Sequence, residues 1–142
     1  MNKMRILILC TANRARSQMA EAWLRHFSGD LALVRSAGTL PKPVHPLAIQ
    51  VMAESGLDLS GHESEHVDQY VQDEFDVVVT VCDRAREVCP TFPRANRLVH
   101  HSFDDPDVSG VGFEKQMRVF RRVRDEIRDW ARAFVGTEVG GQ

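Results

Sequence analysis

The chain has 142 residues, 43% of them hydrophobic and 27% charged, with a formal net charge of −2. That length suits one domain with an ordinary core, and the charge leaves no basic field that would attract nucleic acid. No apolar stretch approaches the roughly 20 residues that span a bilayer, which makes the cytosol the expected setting, and the odd count of three cysteines cannot be fully paired within one chain.

The opening MNKMRILILC lacks a small-residue cleavage site and reads as a first strand over Arg5–Leu9 rather than a signal peptide. Ser17–Ser28 then carries Met19, Ala20, Trp23, Leu24 and Phe27 at helical spacing, and Gly29 is a natural stop. Leu31–Gly38 reads as a second strand. A proline-punctuated loop follows, then a second helix over Leu47–Gly56. Leu57–His66 is polar loop with a short helix after it. Phe75–Val81 is a run of valines that suits a strand covered on both faces. Arg97–His101 is a weaker fourth strand, and Phe113–Phe134 a long helix with Met117, Phe120, Ile127 and Phe134 on one side. Strands alternating with helices predict an α/β fold of three layers, helices on both faces of a four-stranded parallel sheet. Residues 1–136 form the domain and 137–142 a frayed tail.

In such sheets ligands bind beyond the carboxyl ends of the strands, and Cys10 and Cys82 each follow a strand. Between the first strand and the first helix lies the loop C-T-A-N-R-A-R-S, residues 10–17. Backbone N–H groups from Thr11, Ala12, Asn13, Arg14, Ala15 and Arg16 can converge there on one oxyanion, joined by the helix N-terminus. The Arg16 guanidinium offers a planar fork for two oxygens of a tetrahedral anion, and Ser17 can donate to the Cys10 sulfur. Helix dipole, amides and Arg16 together predict a depressed pKa for Cys10 and nucleophilic attack by its sulfur. With no glycine and no lysine, the loop is neither a dinucleotide nor a Walker loop.

Displacing an oxyanion oxygen needs a proton donor. In SFDDPD, Pro106 restricts Asp105 to extended geometry, which can hold its carboxyl in one pose. Asp104 and Asp107 read as solvated loop residues. Cys82 and Cys89 are spaced Cys-x6-Cys, poor for zinc, and no second pair follows. On a helix their Cα atoms would lie about 10 Å apart, beyond the roughly 4.4–6.8 Å of a disulfide. A bond between them therefore requires the segment to unwind. His100 and His101 fall on opposite faces of a predicted strand and form no metal site. The arginines of the last helix alternate with acids, as on a solvated face.

The loop resembles the active-site loop of the low-molecular-weight tyrosine phosphatase family, and RSQMAEAW matches especially the arsenate reductases built on that fold. Ala12 replaces the usual Gly, Arg14 a small polar residue, and Ala15 stands where many members carry a second loop cysteine. The Asp-Pro pair matches the family's acid loop, so the resemblance implies that Asp105 is the proton donor. Three thiols so arranged look like the thioredoxin-coupled arsenate reductases. That likeness implies arsenate as substrate, with phosphate or sulfate as competing oxyanions, and a relay from Cys10 to Cys82 to Cys89. Electrons would come from the partner thioredoxin, with no tightly bound cofactor, no metal in the chemistry, and no nucleic-acid or membrane partner. It also implies that Asn13 steadies the loop. Some of these reductases bind potassium near Asn13, Glu21 and Ser36; here Glu63 and Glu65 replace the usual Thr and Asp. The alternatives are a phosphatase of the same fold, with Cys82 and Cys89 as passengers, and a non-catalytic oxyanion or redox sensor.

Overall fold

A computed structural model describes residues 3–82, 92–108 and 110–139; Cys89 lies outside the described residues. In chain order the elements are β1 (Met4–Cys10), α1 (Arg16–Ser28), β2 (Ala32–Gly38), α2 (Pro46–Glu54), β3 (Val77–Thr80), β4 (Leu98–His100) and α3 (Phe113–Phe134). The four strands form one parallel sheet in the order β2-β1-β3-β4. This is the α/β class expected from the strand–helix alternation.

The middle of the sheet is its driest part. Ile6, Leu7 and Ile8 of β1 and Val78 and Val79 of β3 have no exposed surface, as unbroken β-branched and leucine runs require when both faces are covered. The edge strand β4 is only three residues long, and its Leu98 is exposed, in keeping with its weak sequence signal. The alternation of β4 carries on into the next residue. His100 bonds Thr80 Oγ1, while the His101 ring meets Phe103 and Trp130.

Helix α1 stops at Gly29, whose φ of 53° is a glycine conformation and whose N–H bonds the Arg25 carbonyl. Helix α2 starts one residue earlier than the apolar pattern suggests, because Pro46 supplies a ready helical φ and His45 Nδ1 caps the Leu47 N–H. Along α3, Met117, Phe120, Val123, Ile127, Ala131 and Phe134 are buried at helical spacing. Its opposite face is less solvated than its charge alternation suggests, since Arg121 and Arg124 reach Glu54 of α2. The chain continues past α3 as one wider turn, Val135–Val139, in which Val139 is buried and Glu138 pairs with Arg97. Among the described residues, no helix is long and apolar enough to cross a membrane.

The strand order makes the site. From β1 the chain steps to β2 on one side, and β3 lies on the other side of β1. The carboxyl ends of β1 and β3 therefore flank the switch point where such sheets bind ligands.

Candidate active site

Beyond β1 the loop from Cys10 to Ser17 is tied from outside. Thr11, Ala12 and Arg14 offer their carbonyls to the N–H groups of Leu40, Lys42 and His45 at 2.8–3.0 Å. A trans peptide points its N–H opposite to its carbonyl, so these outward ties leave loop N–H groups facing the other way. Asn13 is the hub. It is fully buried with φ of 50°, a conformation that Asn tolerates better than most side chains. Its side-chain nitrogen donates to Ser17 Oγ and Ser36 Oγ, both at 2.9 Å. Its side-chain oxygen accepts from Gln18 and from the Glu65 N–H, and its carbonyl from Gln18 and Ser64. The steadying role expected of Asn13 is therefore visible bond by bond, from behind the loop rather than from the cavity side.

The Ser17 hydroxyl is fully buried, and its oxygen accepts the Asn13 side-chain amide, which ties the start of α1 to the loop. Asn13, Ser36 and Glu21 do come together, but as a closed chain. Ser36 donates to Glu21 Oε1 at 2.7 Å, and the Arg25 guanidinium sits 2.8 Å from Glu21 Oε2, with His62 beside it. A fixed guanidinium already neutralises that carboxylate, so these donors do not fit a potassium ion.

In front of the loop, Cys10, Thr11, Ala12, Arg14, Ala15, Arg16, Cys82 and Asp105 line one cavity of about 610 Å³. Both cysteines are buried and reduced and face one cavity, near enough for Cys82 to shift the ionisation of Cys10; Thr11 Oγ1 lies 3.4 Å from Cys82 Sγ. The nearness of Cys82, followed by burial, pushes the Cys10 thiol up, while the charge of Arg16 and the Thr11 N–H pull it down. The depressed value expected from the loop alone is thereby corrected. A second thiol accepts the Cys10 proton, and two adjacent thiolates repel.

Arg16 turns across the cavity to the segment after β4. Its Nη1 donates to the Phe103 carbonyl at 3.1 Å, and Nη2 lies 3.7 Å from Asp105 Oδ2. Asp105 is exposed, and its Oδ1 accepts the Asp107 N–H at 3.0 Å. Asp107 is exposed, as expected, but it is not idle. It pairs with Arg14 at 3.1 Å and lies 3.6 Å from His45 Nε2. Burial, then the nearby Arg14, holds His45 below the ordinary histidine pKa. Asp104 stays exposed and pairs with Arg122.

Lys42 and Asp107 also line the cavity, and neither carried a sequence signal. Gly38 is a third residue missed, and its role is to make room. A Cβ there would sit 2.5 Å from the Thr11 carbonyl oxygen, 2.9 Å from Asn13 N and 3.0 Å from the Cys10 carbonyl oxygen. A second groove, of about 710 Å³, lies by the amino ends of the strands, where Arg94 pairs with Glu74 and Asn96 with Asp76.

The model of the low molecular weight phosphotyrosine protein phosphatase family matches residues 5–141. An arsenate reductase of Halalkalibacterium halodurans is 44% identical over 137 residues, covering 96% of this chain and 99% of its own. One of Brevibacillus brevis is 42% identical over 136 residues, covering 96% and 97%. Among solved structures, an arsenate reductase in the phosphate binding state superposes with a TM-score of 0.81 at 28% identity, covering 94% of this chain and 97% of that one. The thioredoxin-dependent arsenate reductase of Corynebacterium glutamicum gives 0.64 at 27%, covering 96% of this chain and 64% of that one. With a family model matched over nearly its whole length and relatives this similar end to end, the chain belongs to the low molecular weight phosphotyrosine protein phosphatase family.

Proposed function

We propose that this protein reduces arsenate to arsenite through Cys10, Cys82 and Cys89, with reduced thioredoxin as electron donor. The observation that carries the proposal is a second thiol beside the loop thiol in one cavity: a phosphatase needs only Cys10, whereas a reductase needs a sulfur placed to attack it. The names of the relatives support arsenate as substrate, and that of the C. glutamicum neighbour supports thioredoxin.

Arsenate enters the cavity and is held by loop N–H groups and the Arg16 fork. Cys10 sulfur bonds to arsenic as one arsenate oxygen, protonated by Asp105, leaves as water. Arg16 favours the Cys10 thiolate against the upward push of Cys82 and burial. Cys82 then attacks the Cys10 sulfur. The electron pair of the sulfur–arsenic bond passes to arsenic, arsenite departs, and a Cys10–Cys82 disulfide remains. Cys89 attacks Cys82 and releases Cys10, and the thioredoxin dithiol reduces the Cys82–Cys89 disulfide. The oxidation of two thiols balances the two-electron reduction of arsenic at each turnover.

The test is arsenite production with thioredoxin, thioredoxin reductase and NADPH. The proposal expects many arsenites per protein, and at most one per protein for Cys89→Ser. Undiminished steady turnover in Cys89→Ser would overturn the relay. Stoichiometric oxidation without turnover in the unaltered protein would instead assign a sensor.

A further inference from the structure

We infer that the Arg14 side chain is a positioning group, which sets the acid Asp105 by gripping Asp107 rather than by binding the anion; the inference rests on the reading of Asp105 as proton donor. Three segments meet at this side chain. Arg14 belongs to the anion loop, its Nε donates to the Pro43 carbonyl at 3.2 Å, and its Nη1 reaches Asp107 Oδ2 at 3.1 Å. Asp107 is held from a second side by His45, whose ring Nε2 lies 3.6 Å from Oδ1 and whose backbone N–H bonds the Arg14 carbonyl at 2.8 Å. His45 Nδ1 already accepts the Leu47 N–H, so Nε2 carries the ring proton and faces the carboxylate.

The chain of contacts ends on the acid. The backbone N–H of Asp107 donates to Asp105 Oδ1 at 3.0 Å. Apart from it, Asp105 is steadied by Arg16 at 3.7 Å, and its side chain is 58% exposed. An exposed carboxyl on a loop samples many poses, and a proton donor works only within hydrogen-bond reach of the leaving oxygen. Fixing Asp107 to the anion loop fixes the distance between the acid and the nucleophile that the same loop carries. Arg14 holds its carboxylate more closely than Arg16 does, 3.1 Å from Asp107 against 3.7 Å from Asp105, and its Nε is taken up by the Pro43 carbonyl. This gives Arg14 a reason to stand where the family usually has a small polar residue.

The experiment is single-turnover arsenite release by the fully reduced protein at varied arsenate. Two thiols and one arsenate give one disulfide, one arsenite and water, so no external donor enters. Asp105→Asn should slow the rate about 100-fold. Arg14→Ala and Asp107→Asn should each slow it about 10-fold with the half-saturating arsenate unchanged, and together no more than either alone. Arg14→Lys, which keeps the charge and loses the fork, should recover part of the rate. The decisive variant is Arg14→Ala in the Asp105→Asn background, where no further loss is expected because Arg14 acts through Asp105. A further 10-fold loss there, or a raised half-saturating arsenate with an intact rate in Arg14→Ala, overturns the inference and leaves Asp105 as the acid. An unchanged rate in Asp105→Asn removes the acid reading and the inference with it.

Discussion

Replacing Gly38 by Ala tests how tightly the anion loop is seated. Gly38 is level with Cys10 in the β1–β2 register, and its N–H bonds the Glu65 carbonyl at 2.9 Å. The added Cβ would stand 2.5 Å from the Thr11 carbonyl oxygen, about 0.9 Å inside ordinary contact at 3.4 Å. The nearest atoms all belong to the backbone of Cys10, Thr11 and Asn13, so no flexible side chain can yield. The loop must move, or the β1–β2 pairing must open. Overpacking of this kind costs about 2 kcal/mol, roughly 6 °C in Tm for a chain of this size. A shift near 1 Å between nucleophile, anion and acid costs roughly 100-fold in rate. Thermal unfolding and single-turnover arsenite release read the two effects separately. Wild-type values of both in Gly38→Ala would show that the loop is not held against β2 as described.

Other expectations follow from the same geometry. Cys82→Ala removes the largest upward cause on Cys10, so Cys10 should ionise at lower pH; iodoacetamide labelling of Cys10 followed against pH checks it, and an unchanged or higher midpoint counts against the nearness of the two thiols. Asn13→Ala leaves buried donors and acceptors without partners and puts Ala at φ of 50°, which together should cost about 3 kcal/mol in urea unfolding. Asn13→Gly should recover about 1 kcal/mol of that, the backbone part alone. Glu54 is held down to about 2 from an ordinary 4.5, first by the Arg121 hydrogen bond and then by Arg124. Because its folded value is depressed, its stabilisation is present above pH 4.5 and lost as pH falls toward 2. The pair is partly exposed, so Glu54→Gln should cost under about 1 kcal/mol at neutral pH and nothing at pH 2, and an equal cost at both would refute the assignment.

What the sequence made legible was whatever depends on one segment at a time. The apolar run of β1, the stripe of α1 and the buried face of α3 are periodic signals, and they fell within a residue or two of the observed bounds. Cys10 and Cys82 could be assigned to one edge because parallel strands share a carboxyl end, whereas Asp105 was singled out by the likeness of its Asp-Pro pair to the family's acid loop. What stayed hidden depends on segments meeting. The Cys10 pKa was read from its loop alone, and the direction reversed once the fold placed Cys82 beside it. Asp107 and Gly38 look ordinary in a linear reading. Their importance lies in Arg14, His45 and the Thr11 carbonyl, which the fold brings to them from elsewhere.

The central claim is that Cys82 attacks the Cys10–arsenic adduct. The most direct test is to react fully reduced Cys89→Ser protein with excess arsenate, trap thiols by alkylation, and map disulfides by mass spectrometry beside an arsenite count. The account predicts one arsenite per protein and an intramolecular Cys10–Cys82 disulfide. Arsenite formed while Cys82 remains alkylatable, or with Cys10 linked to a second molecule instead, would contradict it.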